Sequence, residues 1–358
     1  MFPSSSRSPT KDASSPVLAI SVIVPVRNEG AYIAETLRAL LRQNYPADRF
    51  EVLVVDGCST DDTREIVRQI ADVDRRVRLL ENPRRWSSAA RNIGVRASTG
   101  DVVVIIDGHT QLQDGEYLTK LAAAFRQADV QCVGRPQPLD VHGGSTLQRA
   151  IALARSSGLG HHPDSFIYAD EDQYVPAHSV AVAYRRAVFD DIGFFDETFD
   201  ACEDVEFNHR VDKAGKKCLL ASSVRLHYYP RNSLRSLFRQ LARYGRGRMR
   251  LARKHPETTS LKSLAPGLLV AFLGLGGLSF LVSPIWGYVY LAISGAYLAF
   301  VILYCVRLAY AAKDWPALPW LPCAFLSIHG GAGWGVLYEF LRGGIFWRSA
   351  SPRPPESE

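Results

Sequence analysis

Several features that would place a 358-residue chain in a class at once are missing here. The six cysteines, Cys58, Cys132, Cys202, Cys218, Cys305 and Cys323, contain no C-x-x-C pair. That scatter argues against a zinc site or a disulfide framework and fits a reducing compartment. The first 16 residues are rich in Ser and Pro and hold no apolar core, so they read as a disordered tail and not as a signal peptide. No G-x-G-x-x-G follows the first apolar strand; the chain has Pro25-Val26-Arg27-Asn28-Glu29-Gly30 there, which argues against a Rossmann dehydrogenase. Charge is absent from 264–282 and from 285–306. The net charge is +6, and much of it comes from the arginine-rich stretch 225–254, just before the apolar runs. A basic band beside apolar segments suits an anionic lipid surface better than nucleic acid.

What is present in the first 130 residues is a regular alternation. Apolar strands are expected at 19–26, 51–55, 77–80 and 101–106. Helical stripes lie between them: Ile33, Leu37, Leu40 and Leu41, then Ile66, Val67 and Ile70, then 87–97. Such spacing gives βα units and a parallel sheet with the strand ends on one rim. Asp56 and Asp107, 51 positions apart, are therefore expected as neighbours. The run Val102-Val103-Val104-Ile105-Ile106 is a central strand that delivers Asp107-Gly108-His109 to its carboxyl end, where open α/β sheets bind ligands. An Asp-x-Asp there would suggest a metal and a nucleotide diphosphate; here histidine replaces the second acid. His227 follows a strand-like stretch at 219–226 and is either a further metal ligand or a structural histidine. His161, His162 and His178 lack ligand spacing and read as loop residues.

Beyond 256 the runs 264–282 and 285–306 are each long enough to span a bilayer. They are separated only by Ser283-Pro284, as in a tight helical hairpin. Arg253, Lys254 and Lys262 precede them, and Arg307 and Lys313 follow, so both flanks are expected on the cytoplasmic side. A third run at 315–341, broken by prolines and glycines, reads as a kinked span or a re-entrant segment, and the arginines after it favour re-entry. The arginine series from Arg231 to Arg253 is either a lipid-facing or a solvated basic stripe, with Arg231, Arg235 and Arg239 on one face if helical.

Taken in order, certain segments resemble the family 2 glycosyltransferases. They are Ser21-Val22-Ile23-Val24-Pro25 with Asn28-Glu29, Asp56-Gly57 with Ser59 and Asp61, Ala90-Arg91-Asn92 with Gly94, and Gly100-Asp101 running to Asp107-Gly108-His109. Phe194-Phe195-Asp196-Glu197, Cys202-Glu203-Asp204-Val205-Glu206-Phe207 and Gln240-Leu241-Ala242-Arg243-Tyr244-Gly245 complete the match over about 225 residues. With its apolar tail the chain looks like the membrane-associated branch, similar to the succinoglycan-type exopolysaccharide glycosyltransferases.

The resemblance implies an α/β GT-A fold, Rossmann-like with a mixed sheet, followed by transmembrane helices. It implies a nucleotide-sugar site of Pro25, Val26, Asn28, Glu29, Asp56, Ser59, Arg91, Asp107 and Gly108, with Pro25, Glu29, Asp56 and Arg91 around uridine. Asp107 and His109 would hold a divalent metal, Mn or Mg, and imidazole tilts the choice toward Mn. Asp204, paired with Glu203, would be the general base, and Gln240, Arg243 and Tyr244 would hold the diphosphate and acceptor; tyrosine stands where the family pattern has tryptophan. The expected boundaries are 1–16 for the tail, 17–255 for the GT-A domain, 256–345 for two to three membrane helices and 346–358 for a second tail. The expected activity is an inverting, metal-dependent transfer of a hexose, glucose in the first instance. The donor would be a UDP-sugar and the acceptor a lipid-linked (polyprenyl diphosphate) saccharide, at the cytoplasmic membrane, without nucleic acid. A processive polysaccharide synthase and an inactive membrane-anchored nucleotide-sugar binding protein are the competing readings.

Overall fold

Uniformly apolar, β-branched runs become central strands because both faces of a parallel sheet are covered. The computed structural model describes residues 17–112, 114–141 and 143–343; the tails expected at 1–16 and 346–358 lie outside them. Strands β1 (Ile20–Val26), β2 (Phe50–Asp56), β3 (Val77–Glu81) and β4 (Val102–Ile105) are parallel, linked by helices α1 (Ile33–Leu41), α2 (Thr63–Val73) and α3 (Ser87–Ala97). Then follow β5 (Thr110–Gln111), α4 (Tyr117–Gln127), β6 (Cys132–Arg135), α5 (Thr146–Ser156), β7 (Gln173–Tyr174) and β8 (Ala181–Arg185). Strand β8 inserts antiparallel between β4 and β6. After α6 (Ala187–Ile192) and α7 (Glu203–Lys213) come β9 (Cys218–Leu220) and β10 (His227–Tyr228). The result is an eight-stranded mixed sheet, ordered β3-β2-β1-β4-β8-β6-β9-β7, with β10 and β5 paired separately.

Register sets the site. Val26 lies opposite Asp56, and Ile23 opposite Ile105, so the strand ends at 26, 56 and 107–109 share one rim. Leu37, Val52, Val104, Leu121 and Phe125 fill one side of the sheet. On the other, Tyr184, Phe189, Phe195 and Phe207 cluster with ring centroids 4.5 to 6.4 Å apart, fixing α7 against the sheet. Such aromatic pairs contribute about 1 kcal/mol each beyond area burial.

Helix α8 (Leu234–Lys254) starts at Ser233, whose hydroxyl accepts from the Ser236 amide. Arg231 precedes this helix, so it does not share a helical face with Arg235 and Arg239. Several later cations of this stretch are tied up in ion pairs within the protein. Arg250 Nη1 binds Asp200 Oδ1 at 2.6 Å, and Arg250 Nε and Arg253 Nη1 reach Glu339 Oε1 at 3.1 and 3.0 Å. Lys254 Nζ bridges Asp196 (2.5 Å) and Glu206 (2.8 Å).

Helices α9 (Leu261–Leu275), α10 (Ser279–Val282) and α11 (Pro284–Ala312) form the expected hairpin. The Tyr290 hydroxyl donates to the Leu273 carbonyl at 2.9 Å across it. Two helical stretches, Leu261–Val282 and Pro284–Ala312, have mean hydropathy 2.0 and 2.1 and are long enough to cross a membrane. The second is about 44 Å long at 1.5 Å per residue. Leu281 (84% exposed), Ile285 (72%) and Leu303 (70%) face outward, whereas Val301, Cys305 and Ala309 join one buried core with Leu321, Ala324 and Phe325 of the following helix and Ala150, Ile151 and Ala154 of α5.

The third apolar run differs from expectation. It is the unbroken helix α12 (Leu321–Gly343), with Pro316 and Pro319 in a preceding 3-10 turn. Its glycines do not break it because they are its contact surface. A Cβ on Gly331 would come 2.6 Å from the Phe238 carbonyl oxygen, and one on Gly335 would collide with the Ala242 carbonyl of α8. Small residues of this kind let helix backbones approach closely.

Two outcomes test these contacts. Glu339→Ala leaves Arg253 without its carboxylate in a buried setting. It is expected to lower the unfolding free energy of detergent-solubilised protein by about 3 kcal/mol; an unchanged melting curve contradicts the role given to the ion pair. The second concerns acid. Burial pushes the Asp196 carboxyl up, but Lys254 and Thr198 outweigh it and hold it below its ordinary value of 3.8. Its contribution to stability is therefore complete above that value and is lost as pH falls through the lower folded value. Asp196→Asn should flatten the fall in melting temperature below about pH 4 relative to the parent.

Candidate active site at the sheet rim

The loops after β1 and β2 are stitched together. Asn28, at φ +55°, accepts from the Thr60 amide through Oδ1 at 2.8 Å, while its own amide donates to Ser59 Oγ at 2.9 Å. Asp61 accepts from the Gly30 amide at 3.0 Å and from the Thr63 hydroxyl at 2.5 Å. It therefore joins the two loops as well as starting α2. Asp56 is 2% exposed, and its carboxylate accepts from the Ser59 amide at 3.1 Å. Pro25 and Val26 end β1 beside it. Gly108 packs under this platform: a Cβ there would come within 2.8 Å of Val26 Cγ1. Its carbonyl accepts from Thr36 Oγ1 at 2.8 Å.

Asp107 and His109 are half-buried on either side of Gly108. His109 Nδ1 sits 3.0 Å from Glu29 Oε1, and its ring stands edge-on to Tyr32 and Tyr228, with centroids 6.5 and 6.2 Å away. Burial alone would lower the His109 pKa, but the hydrogen bond to Glu29 and the charge of Asp107 outweigh it and raise it. Arg231 acts on the same ring from the helix side. Below the cluster Arg135, 4% exposed, donates Nη2 to the Ile105 carbonyl at 2.5 Å.

His227 is a correction. The stretch 219–226 is not a strand: β9 ends at Leu220 and the chain turns through Ala221 and Val224, both buried. Antiparallel pairing places Tyr228 opposite Thr110 and His227 opposite Gln111, and alternation sends neighbouring side chains to opposite faces. Tyr228 therefore meets His109. His227 lines a separate cavity of about 210 Å³ with Asp114, Tyr117 and Lys120, and among the described residues it forms no ligand cluster with Asp107 and His109.

Arg91 points from α3 toward α7. Its Nε is 3.2 Å from Glu203 Oε1 and its guanidinium lies 5.5 Å from the centre of the Phe195 ring. Burial opposes its charge, but Glu203, Asp204 and Asp107 together raise its pKa. The loop between α6 and α7 is latched to the same helix α3. Asn92 Nδ2 donates to the Phe195 carbonyl (2.9 Å) and to Glu197 (2.8 Å), and Ser88 Oγ donates to the Phe199 carbonyl (3.0 Å). Helix α7 then begins after Cys202, at φ +61°. Glu203 is 4% exposed and paired with Arg91, whereas Asp204 is half-buried, accepts from the Val205 amide at 2.8 Å and adds its charge to the surroundings of Arg91. Glu206 is fully buried and held by Arg210 (3.0 Å), Lys254 (2.8 Å) and His255 (3.1 Å).

The Gln-x-x-Arg-Tyr segment of α8 closes the remaining side. Gln240 Nε2 donates to the Tyr244 hydroxyl at 3.3 Å and Gln240 Oε1 accepts from Arg231 at 3.4 Å. Tyr244 lies in the field of Asp204 and Arg155. Arg243 Nη2 donates to the Asp200 carbonyl at 2.9 Å, holding the turn before α7. Sequence reasoning missed Tyr228, Arg135 and the structural role of Glu206. A hint for the first was the alternation within His227-Tyr228; nothing local marked Arg135.

Comparison with known proteins agrees with this arrangement. Residues 21–193 match the family described as Glycosyl transferase family 2. The chain is 34% identical over 266 residues to succinoglycan biosynthesis protein ExoA of Rhizobium meliloti, across 73% of this chain and 78% of that protein. It is 29% identical over 262 residues to glycosyltransferase AglE of Haloferax volcanii, across 71% and 81%. The fold is similar to that of a mannosyltransferase from Pyrobaculum calidifontis solved with GDP-Man and Mn2+, with a TM-score of 0.55, 21% identity and coverage of 89% and 88%. With a mixed sheet of this order and a relative this close over most of both lengths, the chain belongs to glycosyl transferase family 2 and is a glycosyltransferase with the GT-A fold.

Proposed function

We propose that this glycosyltransferase moves a hexose, glucose in the first instance, from a UDP-sugar to a lipid-linked saccharide acceptor with inversion, in exopolysaccharide or cell-surface glycan synthesis. The observation that carries the reading is that one guanidinium, Arg91, lies in the field of Asp107 on the donor rim and of Glu203 and Asp204 on α7. The guanidinium pairs directly with Glu203, at 3.2 Å, and in this reading it stands between the donor-side and acceptor-side acids. The kinship with a succinoglycan biosynthesis protein supports the exopolysaccharide context.

In this reading the nucleotide lies on the platform of Pro25, Val26, Asn28, Glu29, Asp56, Ser59 and Gly108, with Arg91 behind it. Asp204 takes the proton of the acceptor hydroxyl as its oxygen bonds to the anomeric carbon. The bond from that carbon to the diphosphate breaks, and the nucleoside diphosphate leaves with the electron pair. Glu203, neutralised by Arg91, keeps Asp204 in place and does not compete for the proton. Gln240, Arg243 and Tyr244 border the space where acceptor and diphosphate meet, and Arg231 adds a cation there.

The donor set fits a divalent metal in part. Asp107 and His109 offer one carboxylate and one imidazole, the small protein share used when substrate phosphates supply the other ligands. His227 does not join them. When bound, Mn or Mg at Asp107 and His109 would neutralise charge on the leaving diphosphate.

The apolar helices give the membrane reading. We assign 17–255 to the catalytic domain and 256–345 to the membrane domain. The cationic flanks of the hairpin favour a cytoplasmic position for both its ends. The core that residues of α11 share with α12 and α5 supports this, since it ties the last turns of the hairpin to the catalytic domain.

Membranes carrying the protein should transfer sugar from one UDP-sugar of a donor panel to a lipid-extracted acceptor, and each product should grow by a single residue. Asp204→Asn is expected to lower kcat by about 10³-fold while UDP binding stays within twofold; normal turnover removes Asp204 from its role. His109→Asp should retain transfer with a changed preference between Mn and Mg, and indifference to metal in both forms removes the metal from the reading.

A further inference from the structure

Two histidines and a glutamate that the reaction does not use meet behind the catalytic helix. His209 lies in α7, His255 follows the last residue of α8, and Glu257 lies in the 3-10 turn Pro256–Thr258. One ligand atom from each lies within 4.8 Å of the other two. His209 Nε2 is 3.2 Å from Glu257 Oε1, and His255 Nδ1 is 3.9 Å from the same oxygen. The two rings are 4.7 Å apart between centroids. Ligands at about 2.0–2.1 Å from a tetrahedral zinc stand roughly 3.3–3.4 Å from one another, so two of these separations already lie within about 0.6 Å of that spacing.

The surroundings match as well. His255 Nε2 is 3.1 Å from Glu206 Oε1, and Glu206 is 0% exposed and anchored by Arg210 and Lys254. An imidazole whose Nε2–H is given to a fixed carboxylate presents its Nδ1 lone pair the other way, here toward Glu257. Both histidine side chains are mostly buried, at 16% and 13% exposure, while Glu257 faces solvent at 47%. That leaves an entry path on one side. Among the described residues Lys213 is the competing cation in contact, 3.0 Å from Glu257 Oε1, and at 67% exposure it can swing into water.

We propose that His209, His255 and Glu257 form a site for a divalent transition-metal ion of the zinc class, separate from the donor rim, with water as the fourth ligand. Two imidazoles select such an ion over Mg or Ca. The bound ion ties α7, five residues beyond Asp204, to the turn that leads at Leu261 into the apolar hairpin. The cysteine spacing that argued against zinc was silent here, because the ligands are histidines brought together where the end of α8 and the turn after it meet α7.

The test uses tag-free, full-length protein in detergent, stripped with chelator and titrated calorimetrically with Zn2+. One equivalent is expected to bind, to raise the melting temperature and to persist in His109→Ala, which removes the donor-site imidazole. His209→Gln and Glu257→Gln should each weaken that equivalent at least tenfold. Glu257 is an exposed turn position, so its variant decides the matter even where a histidine variant fails to fold. Cobalt added in place of zinc should give the visible absorption of a tetrahedral ion. Absence of zinc binding in the parent protein, or an equivalent that is unchanged in both Glu257→Gln and His209→Gln, overturns the site and leaves a hydrogen-bonded helix cap.

Discussion

The ion pair between Arg91 and Glu203 is the constraint on which the site depends. At 3.2 Å the attraction is roughly 5 kcal/mol for an effective dielectric constant near 20, and the desolvation of two mostly buried groups offsets much of it. Its value is therefore geometric. Helix α3 grows from the parallel half of the sheet, and α7 hangs on the antiparallel half through Tyr184 and Phe207. The pair, with the latch from Ser88 and Asn92, fixes the distance between the halves. Among the first acids of α7, Glu203 is paired with Arg91 and Glu206 with Arg210, Lys254 and His255, whereas Asp204 is half-buried and, among the described residues, bonds only the neighbouring Val205 amide.

Helix α8 extends this constraint toward the apolar helices. Its first half carries Gln240, Arg243 and Tyr244 to the rim, and its second half sends Arg250 and Arg253 to Glu339. A lone acid in a glycine-rich apolar helix is costly unless paired, and here two arginines meet it. Gly245 completes the fit, since a Cβ there would collide with the Ala332 carbonyl of α12. The helix that carries Gln240, Arg243 and Tyr244 is thus packed backbone to backbone on α12, so displacement of α12 would be felt at Tyr244.

Much of the parallel half was legible in the sequence, because parallel strands buried on both faces are uniformly apolar and their ends are marked by a change to polar residues. The helix expected at 87–97 is observed at Ser87–Ala97, and the rim position of Asp56 and Asp107 follows from register alone. The antiparallel half was less legible. Strand β9 is only Cys218–Leu220, and the buried residues after it belong to a turn, which misplaced His227. The arginine series looked like a surface because its partners, Asp200 and Glu339, are far away in sequence. Arg135 was invisible for the same reason: a lone arginine at a strand end says nothing of the carbonyl it will meet. Glycines in α12 signalled a break by propensity, whereas tertiary contact made them an interface.

The histidine in the Asp-Gly-His cluster takes its meaning from its partner. Glu29 occupies Nδ1, so Nε2 is the nitrogen left for a ligand, and a carboxylate behind a histidine both orients the ring and strengthens it as a donor. Glu206 stands in the same relation to His255 at the second cluster. A second aspartate at position 109 would have crowded three carboxylates, with Glu29 and Asp107, at the rim proposed to receive a diphosphate. Imidazole instead removes one negative charge and turns Glu29 from a rival for the ligand into a support. Arg91 and the buried Arg135 lie in the field of Asp107, and Arg231 acts on His109, so cations already stand around this cluster.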